Sequence, residues 1–198
     1  MKQSIVTLDL EGVLVPEIWI AVAEKTGIDA LRRTTRDEPD YDVLMRYRLD
    51  LLAVNNLKLS DIQSVIDTLA PLEGAKAFVD ELRARTQLFI LSDTFLQFAT
   101  PLMRQLDWPT LFCHHLEVRD DVIVDYHLRQ PDQKRKSVAA FQSLNYRVIA
   151  AGDAYNDTSM LAQADKGIFF RAPENVIEEF PQFPAVTKYD ELMELIFE

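Results

Sequence analysis

Ser4-Ile5-Val6-Thr7-Leu8-Asp9-Leu10-Glu11-Gly12-Val13 is the stretch on which the fold of this chain turns. Residues 4–8 are apolar and largely β-branched, the composition of a strand buried on both faces of a parallel sheet. Two carboxylates one residue apart do not belong inside such a strand, because burying unpaired charge is expensive. At its carboxyl end they are useful, since open α/β sheets bind ligands there. Alternation would aim Asp9 and Glu11 the same way and turn Leu10 back into the core. Two convergent carboxylates suit Mg²⁺, and one of them can attack phosphorus. Taken alone, the segment reads equally well as an N-cap Asp followed by a first-turn Glu.

Three further segments decide between those readings. Leu88-Phe89-Ile90-Leu91-Ser92-Asp93-Thr94 is again an apolar run ending in small polar groups. Arg147-Val148-Ile149-Ala150-Ala151-Gly152-Asp153-Ala154-Tyr155-Asn156-Asp157 is a third, ending in an acid and a helix start. Between them, Lys134-Arg135-Lys136 opens a helical stretch, Ser137 to Leu144. Acid pair, hydroxyl, lysine and second acid cluster follow in that order, and each acid or hydroxyl stands at a strand end.

This order resembles the four motifs of the haloacid dehalogenase-like superfamily. Residues 9–17, Leu91-Ser92-Asp93-Thr94-Phe95 and Ala150-Ala151-Gly152-Asp153 with Tyr155-Asn156-Asp157 are similar to the phosphoserine phosphatase subgroup. Within it they look most like the bacterial bifunctional enzymes that also transfer the phosphoryl group to homoserine. The likeness extends to Thr34-Thr35-Arg36-Asp37 and Ala172-Pro173-Glu174-Asn175-Val176, and its chief departure is Glu11, where Asp is usual.

With 198 residues the chain can hold one α/β core and a small insertion. A net charge of −11 argues against nucleic acid or an anionic membrane as partner. The single Cys113 cannot form an internal disulfide, and beside Thr110-Leu111-Phe112 it reads as a core residue in a reducing compartment. Asp9 and Glu11 interrupt any signal-peptide pattern, and no window is apolar enough to span a bilayer. The expected location is cytoplasmic, as a monomer or small homo-oligomer.

The first strand is expected over Ser4 to Leu10. Helical periodicity follows from Pro16-Glu17 to Gly27, from Asp40 (a candidate N-cap) to Val54, and from Asp61 to Leu69. From Pro71 helices and strands alternate: helix 74–85, strand 87–91, helix 95–106 and strand 110–113. A hairpin of 116–118 with 122–128 comes next. Strand 147–151, a helix from Asn156, strand 167–170 and a terminal helix 190–197 complete the pattern. Alternation of this kind predicts a doubly wound parallel sheet with right-handed crossovers. Residues 1–14 and 71–198 are thus an α/β core, and 15–70 a helical insertion, which the resemblance makes a cap over the site.

The resemblance implies roles residue by residue. Asp9 is the nucleophile that forms an aspartyl-phosphate. Mg²⁺ is held by the Asp9 and Asp153 side chains and the Glu11 main-chain carbonyl, with Asp157 outside that shell or simply an early-helix dipole partner. Glu11 is the general acid/base, reaching about one bond length further than Asp would. Ser92, the Asp93 backbone N–H and Lys134 hold the phosphoryl oxygens, while Arg135 and Lys136 read as a solvated face. Asn156 either contacts the substrate or caps the next helix. Glu17 matches the substrate ammonium and Arg48 its carboxylate. Met45 reads as pocket padding or core, Trp19 and Tyr155 as packing, and His114, His115 and His127 receive no role. The expected substrates are phosphoserine and, as acceptor, homoserine. The alternatives are a phosphatase of another small phosphomonoester, or a catalytically idle α/β binding module, against which intact Asp9, Lys134 and Asp153 argue.

Overall fold

The structure is a computed structural model that describes residues 2–34, 37, 38 and 40–198. Thr35 and Arg36, two of the residues that carried the sequence resemblance, lie outside the described residues. The strands are β1 (Ser4–Leu8), β2 (Gln87–Phe95), β3 (Thr110–Arg119), β4 (Val122–His127), β5 (Arg147–Gly152), β6 (Lys166–Phe170) and β7 (Ala185–Val186). The helices of the insertion are α1 (Ile18–Thr26), α2 (Tyr41–Val54) and α3 (Leu59–Ile66). The rest are α4 (Ala75–Arg85), α5 (Leu96–Gln105), α6 (Gln133–Ser143), α7 (Thr158–Gln163), α8 (Glu174–Glu179) and α9 (Tyr189–Phe197).

The sheet runs β4-β3-β2-β1-β5-β6-β7 and is parallel except for the β3–β4 pair. The chain builds outward from β1 on one side, then returns to place β5 on the other. The crevice at the carboxyl ends of β2, β1 and β5 is therefore the switch point at which such sheets bind ligands. Alternation along the strands feeds two apolar layers. Val6, Leu8, Ile149 and Ile168 pack with Phe78, Phe98 and Leu192 on one face. Ile5, Val148, Ala150 and Phe169 pack with Val138, Phe141 and Met160 on the other.

The element boundaries depart from the sequence expectation in places that bear on the site. β1 stops at Leu8, so Asp9 and Glu11 stand beyond regular pairing, although the Asp9 N–H still donates to Ala151 O at 3.0 Å. Leu10 is fully buried, as alternation required. The expected short strand 110–113 and first hairpin arm are one strand, β3. It pairs parallel with β2 as far as His114 and antiparallel with β4 from His115. Between the two expected segments His114 is buried and accepts the Arg129 N–H, and the strand continues through it. α6 opens at Gln133, before the basic cluster, and α8 and β7 were not anticipated. Asp40 caps α2 by accepting the Asp42 and Val43 N–H groups.

The insertion lies against the core through polar contacts as well as apolar ones. Arg46 meets Asp125 at 2.6 Å, Ser60 Oγ donates to Asp121 at 2.5 Å, and the Tyr126 hydroxyl donates to Asp42. Pro101 inside α5 has no N–H to offer Gln97 O, four residues earlier. That carbonyl accepts instead from the Gln63 side chain of α3, at 2.9 Å. Among the described residues, no helix is long and apolar enough to cross a membrane.

Gln63→Ala should therefore cost about 1 kcal/mol in urea unfolding, since it strands a half-buried carbonyl. The penalty should shrink in a Pro101→Ala background, where residue 101 regains an N–H for Gln97. Equal penalties in both backgrounds would mean that Gln63 matters for packing alone.

Candidate active site

Three strand ends bring their polar groups to one cleft of about 280 Å³, lined by Asp9, Glu11, Ser92, Asp93, Lys134, Asp153 and Asn156 from the core. Glu17, Trp19, Tyr41 and Arg48 of the insertion complete it. At its floor the Lys134 ammonium, 2 % exposed, sits 2.9 Å from Asp9 Oδ1, 2.8 Å from Asp157 Oδ1 and 3.7 Å from Asp93 Oδ2. Burial by itself would lower the Lys134 pKa; Asp157, Asp9 and Asp93 outweigh it and hold the group charged, well above the ordinary lysine range. Burial raises the Asp9 carboxyl well above the usual carboxylate range, and the like charges of Asp157 and Asp153 push the same way against Lys134.

Carboxylate oxygens of Asp9, Asp153 and Asp157 lie within 4.8 Å of one another, a donor set of hard anionic oxygens that fits Mg²⁺. The backbone is shaped for it. Gly12, at φ +75°, leaves room where a Cβ would stand 2.3 Å from Asp153 Oδ2. At Gly152 a Cβ would stand 2.3 Å from the Asp157 carboxyl carbon. Asp157 is already committed on both oxygens. Oδ1 faces Lys134, while Oδ2 accepts the Asp153 N–H at 2.9 Å and the Ala154 N–H at 3.2 Å. Asp157 thus holds the Asp153 backbone in place beside Asp9.

Above the floor, β2 and β3 lose regular register between Leu91 and Phe95, which frees residues 92–94 to shape the cleft. Ser92 Oγ accepts the Thr94 N–H at 3.2 Å, so its own proton can be given to a ligand. Glu11 Oε2 accepts the Ile18 N–H, the first residue of α1, at 2.8 Å. Burial and then Glu17 raise the Glu11 carboxyl to about 7; Ile18, Thr94 and Arg48 offset part of the rise. Such a group exchanges a proton readily near neutral pH.

The insertion supplies the opposite wall. Arg48 is buried, stacked over Trp19 at 4.6 Å, and one arm donates to Arg33 O at 2.8 Å. Among the described residues its Nε has no hydrogen-bond partner, and burial lowers its pKa to about 10. A buried guanidinium with an unused donor is suited to an anionic group brought by a ligand. Glu17 is exposed at the rim, and its field raises the Arg48 pKa.

Asp9, Glu11, Glu17, Arg48, Ser92, Asp93, Lys134, Asp153 and Asn156 all line this cleft, and several refinements follow from the geometry. Asn156 does not cap a helix; its amide donates to Asp93 Oδ2 at 3.1 Å from a short 3-10 turn. Met45 is fully buried and accepts an Arg48 N–H through sulfur. Trp19 is more than packing, since it carries the Arg48 guanidinium. Thr94 stood in a quoted motif without a role, and Tyr41, His114 and Gln133 were not anticipated. Tyr41 donates to Asp93 O at 2.9 Å, and Gln133 donates to Ser92 O. No local motif marks them, because each approaches the site from a different element.

A model of the haloacid dehalogenase-like hydrolase family matches residues 4–165. The chain is 69% identical over 190 residues to a Pseudomonas aeruginosa protein named phosphoserine phosphatase ThrH, covering 96% of this chain and 93% of that one. It is 67% identical to a Pseudomonas syringae pv. tomato protein named phosphoserine phosphatase, covering 96% and 80%. Among solved structures, a substrate-bound phosphoserine phosphatase complex superposes with a TM-score of 0.81 at 20% identity, covering 100% and 99%. A phospho-aspartyl intermediate analogue of a phosphoserine phosphatase gives 0.81 at 20%, covering 98% and 99%.

Removing the ammonium tests the electrostatics of the floor. In metal-free protein at pH 7, Lys134→Met should cost about 3 kcal/mol in urea unfolding, because buried carboxylates lose their counter-charge. The folded state holds the Asp9 proton more tightly than the unfolded chain does, so lowering the pH favours folding. The loss should thus shrink toward pH 5. A pH-independent loss would trace it to packing instead.

Proposed function

The chain belongs to the haloacid dehalogenase-like hydrolase family, and on that premise we propose a Mg²⁺-dependent phosphoserine phosphatase that works in the cytoplasm through an aspartyl-phosphate on Asp9. It also passes the phosphoryl group to homoserine, and residues 15–70 are its cap. The observation that carries the substrate is Arg48, a buried guanidinium with an unused Nε in the same small cleft as the Asp9–Lys134 pair. A molecule that answers both features bears a phosphate at one end and a carboxylate close by. Glu17 at the rim suits the ammonium of an amino acid. The curated relatives' names favour the same reading.

Asp9 Oδ1 takes the Leu10 N–H at 2.7 Å and the Lys134 ammonium at 2.9 Å, which leaves Oδ2 to supply the attacking electron pair. Asp9 and Asp153, with the Glu11 carbonyl, would hold Mg²⁺, which when bound screens the repulsion between carboxylate and phosphate. Ser92 and Lys134 donate to the phosphoryl oxygens, where negative charge is shared in the transition state. As the P–O bond to serine breaks, Glu11 gives its proton to the departing oxygen. Glu11 then takes a proton from water or from the homoserine hydroxyl as that oxygen attacks phosphorus, and Asp9 leaves as a carboxylate. A carboxyl titrating near 7 serves both directions.

The deciding experiment incubates the protein with phosphoserine and Mg²⁺, with and without homoserine, and quantifies free phosphate against phosphohomoserine. Turnover should need Mg²⁺ and vanish in Asp9→Asn; persistence in that variant would remove Asp9 from the nucleophile's role. Glu11→Asp withdraws the carboxylate by about one bond length and should shift product toward free phosphate at measurable turnover. An unchanged product ratio would assign acceptor choice to the cap.

Arg48→Lys exchanges a fork for a point charge. It should lower kcat/KM for phosphoserine by about tenfold, roughly 1.4 kcal/mol, and leave p-nitrophenyl phosphate nearly unaffected. Equal losses on both substrates would show that Arg48 supports the fold or the chemistry rather than recognition.

A further inference from the structure

Asp93 is the point at which four parts of the molecule meet. Its carbonyl accepts the Tyr41 hydroxyl from the insertion. Its Oδ1 faces His114 Nε2 at 3.5 Å and Gln133 Nε2 at 3.4 Å. Its Oδ2 accepts from Asn156 at 3.1 Å and stands 3.7 Å from the Lys134 ammonium. Burial alone would raise the Asp93 carboxyl, yet Lys134, His114 and Asn156 more than offset it and hold it well below the ordinary range.

Asp93 lines the 280 Å³ cleft and also a second cleft of about 490 Å³, to which His114 and Gln133 contribute. With open volume beside the carboxylate, the surrounding donors bear on where it stands. Asn156 draws on Oδ2 at 3.1 Å, and on Oδ1 His114 and Gln133 pull away from Lys134 at 3.5 and 3.4 Å. The His114 ring is 3 % exposed and framed by Tyr41 and Phe95. Its Nδ1 accepts the Arg129 N–H at 3.1 Å, so the ring proton is on Nε2, aimed at Asp93.

The distances around Lys134 give this a consequence. An ammonium has three N–H donors. Two are engaged at 2.8 and 2.9 Å by Asp157 and Asp9; Asp93 at 3.7 Å is near enough to attract the third but not to bond it. We propose that His114 is a positioning residue that holds the Asp93 carboxylate back from Lys134, so that the third ammonium proton stays directed at the phosphoryl group. Without the Nε2 donor, Asp93 closes the gap to Lys134, forms a third ion pair and takes the proton that a phosphoryl oxygen needs. The inference rests on the reading of Lys134 as a phosphoryl ligand.

The test uses the full chain with Mg²⁺ and four variants: His114→Met, His114→Gln, Asp93→Asn and Asp93→Asn/His114→Met. Methionine fills the volume without a donor, whereas glutamine can place an amide N–H where Nε2 stood. His114→Met should weaken inorganic phosphate binding, read by calorimetry, and lower kcat/KM on both phosphoserine and p-nitrophenyl phosphate, each by about tenfold. His114→Gln should recover most of that loss, and His114→Met should add nothing in the Asp93→Asn background. Equal impairment of the Gln and Met variants, or a full additional loss on top of Asp93→Asn, would overturn the proposal. So would a His114→Met protein that melts lower but binds phosphate normally. If the phosphoserine reading itself is wrong, wild type fails on phosphoserine alone, while phosphate binding and p-nitrophenyl phosphate still compare the His114 variants.

Discussion

One buried ammonium makes this site possible. Asp9 follows β1, Asp93 belongs to β2, and Asp157 follows β5, so the topology of the sheet drives three carboxylates together. At about 4 Å two such charges repel by roughly 4 kcal/mol in the effective medium of a protein surface, and more as water leaves. Lys134 sits among them with a donor to spare. Its place in the first turn of α6 is unfavourable for a cation, since the helix dipole is positive there. Among the described residues, Lys134 is the cation that meets Asp9 and Asp157 at hydrogen-bond distance. Asp9, Asp153 and Asp157 still outnumber it, which is the condition under which a divalent cation belongs in a site.

The insertion is coupled to that floor through directed contacts. The Glu11 carboxylate accepts the N–H that begins α1, so the acid/base candidate and the first helix of the insertion share one position. Arg48 gives up bulk water to lie over Trp19, and Tyr41 reaches across to the Asp93 carbonyl. Burial pushes the Tyr41 phenol upward, with Asp93 acting in the same direction, which keeps it a donor at any physiological pH. The insertion and the floor of the cleft are therefore tied together by a few hydrogen bonds.

Much of this was legible in the chain because the relevant residues are local to strand ends. A β-branched run that stops at Asp9, a second at Ser92 and a third at Asp153 announce themselves through composition, and alternation correctly buried Leu10. The less legible parts arise where one residue serves two neighbours. Residues 114 and 115 fall between the expected strand 110–113 and the hairpin, yet His114 accepts the Arg129 N–H and the strand runs through. Asn156 sits where a helix cap would, but its amide is taken by Asp93, 63 residues away in sequence. Pro101 in α5 signals a missing N–H; only packing reveals that Gln63 supplies the replacement.

The choice of Lys134 over its basic neighbours rested on the family resemblance; by itself, the sequence determined the doubly wound sheet and the acids and hydroxyl at its strand ends. Those follow from periodicity and from the rule that charge collects where strands end. Only the tertiary structure decided how the charges are shared. Whether Asp157 faces a ligand or the Asp153 backbone depends on distances between elements far apart in sequence. So does the separation of Asp93 from Lys134, and so does the unused donor on Arg48. Hydrogen bonds switch on and off within a few tenths of an ångström. Periodicity places a residue on a face; it does not carry that precision.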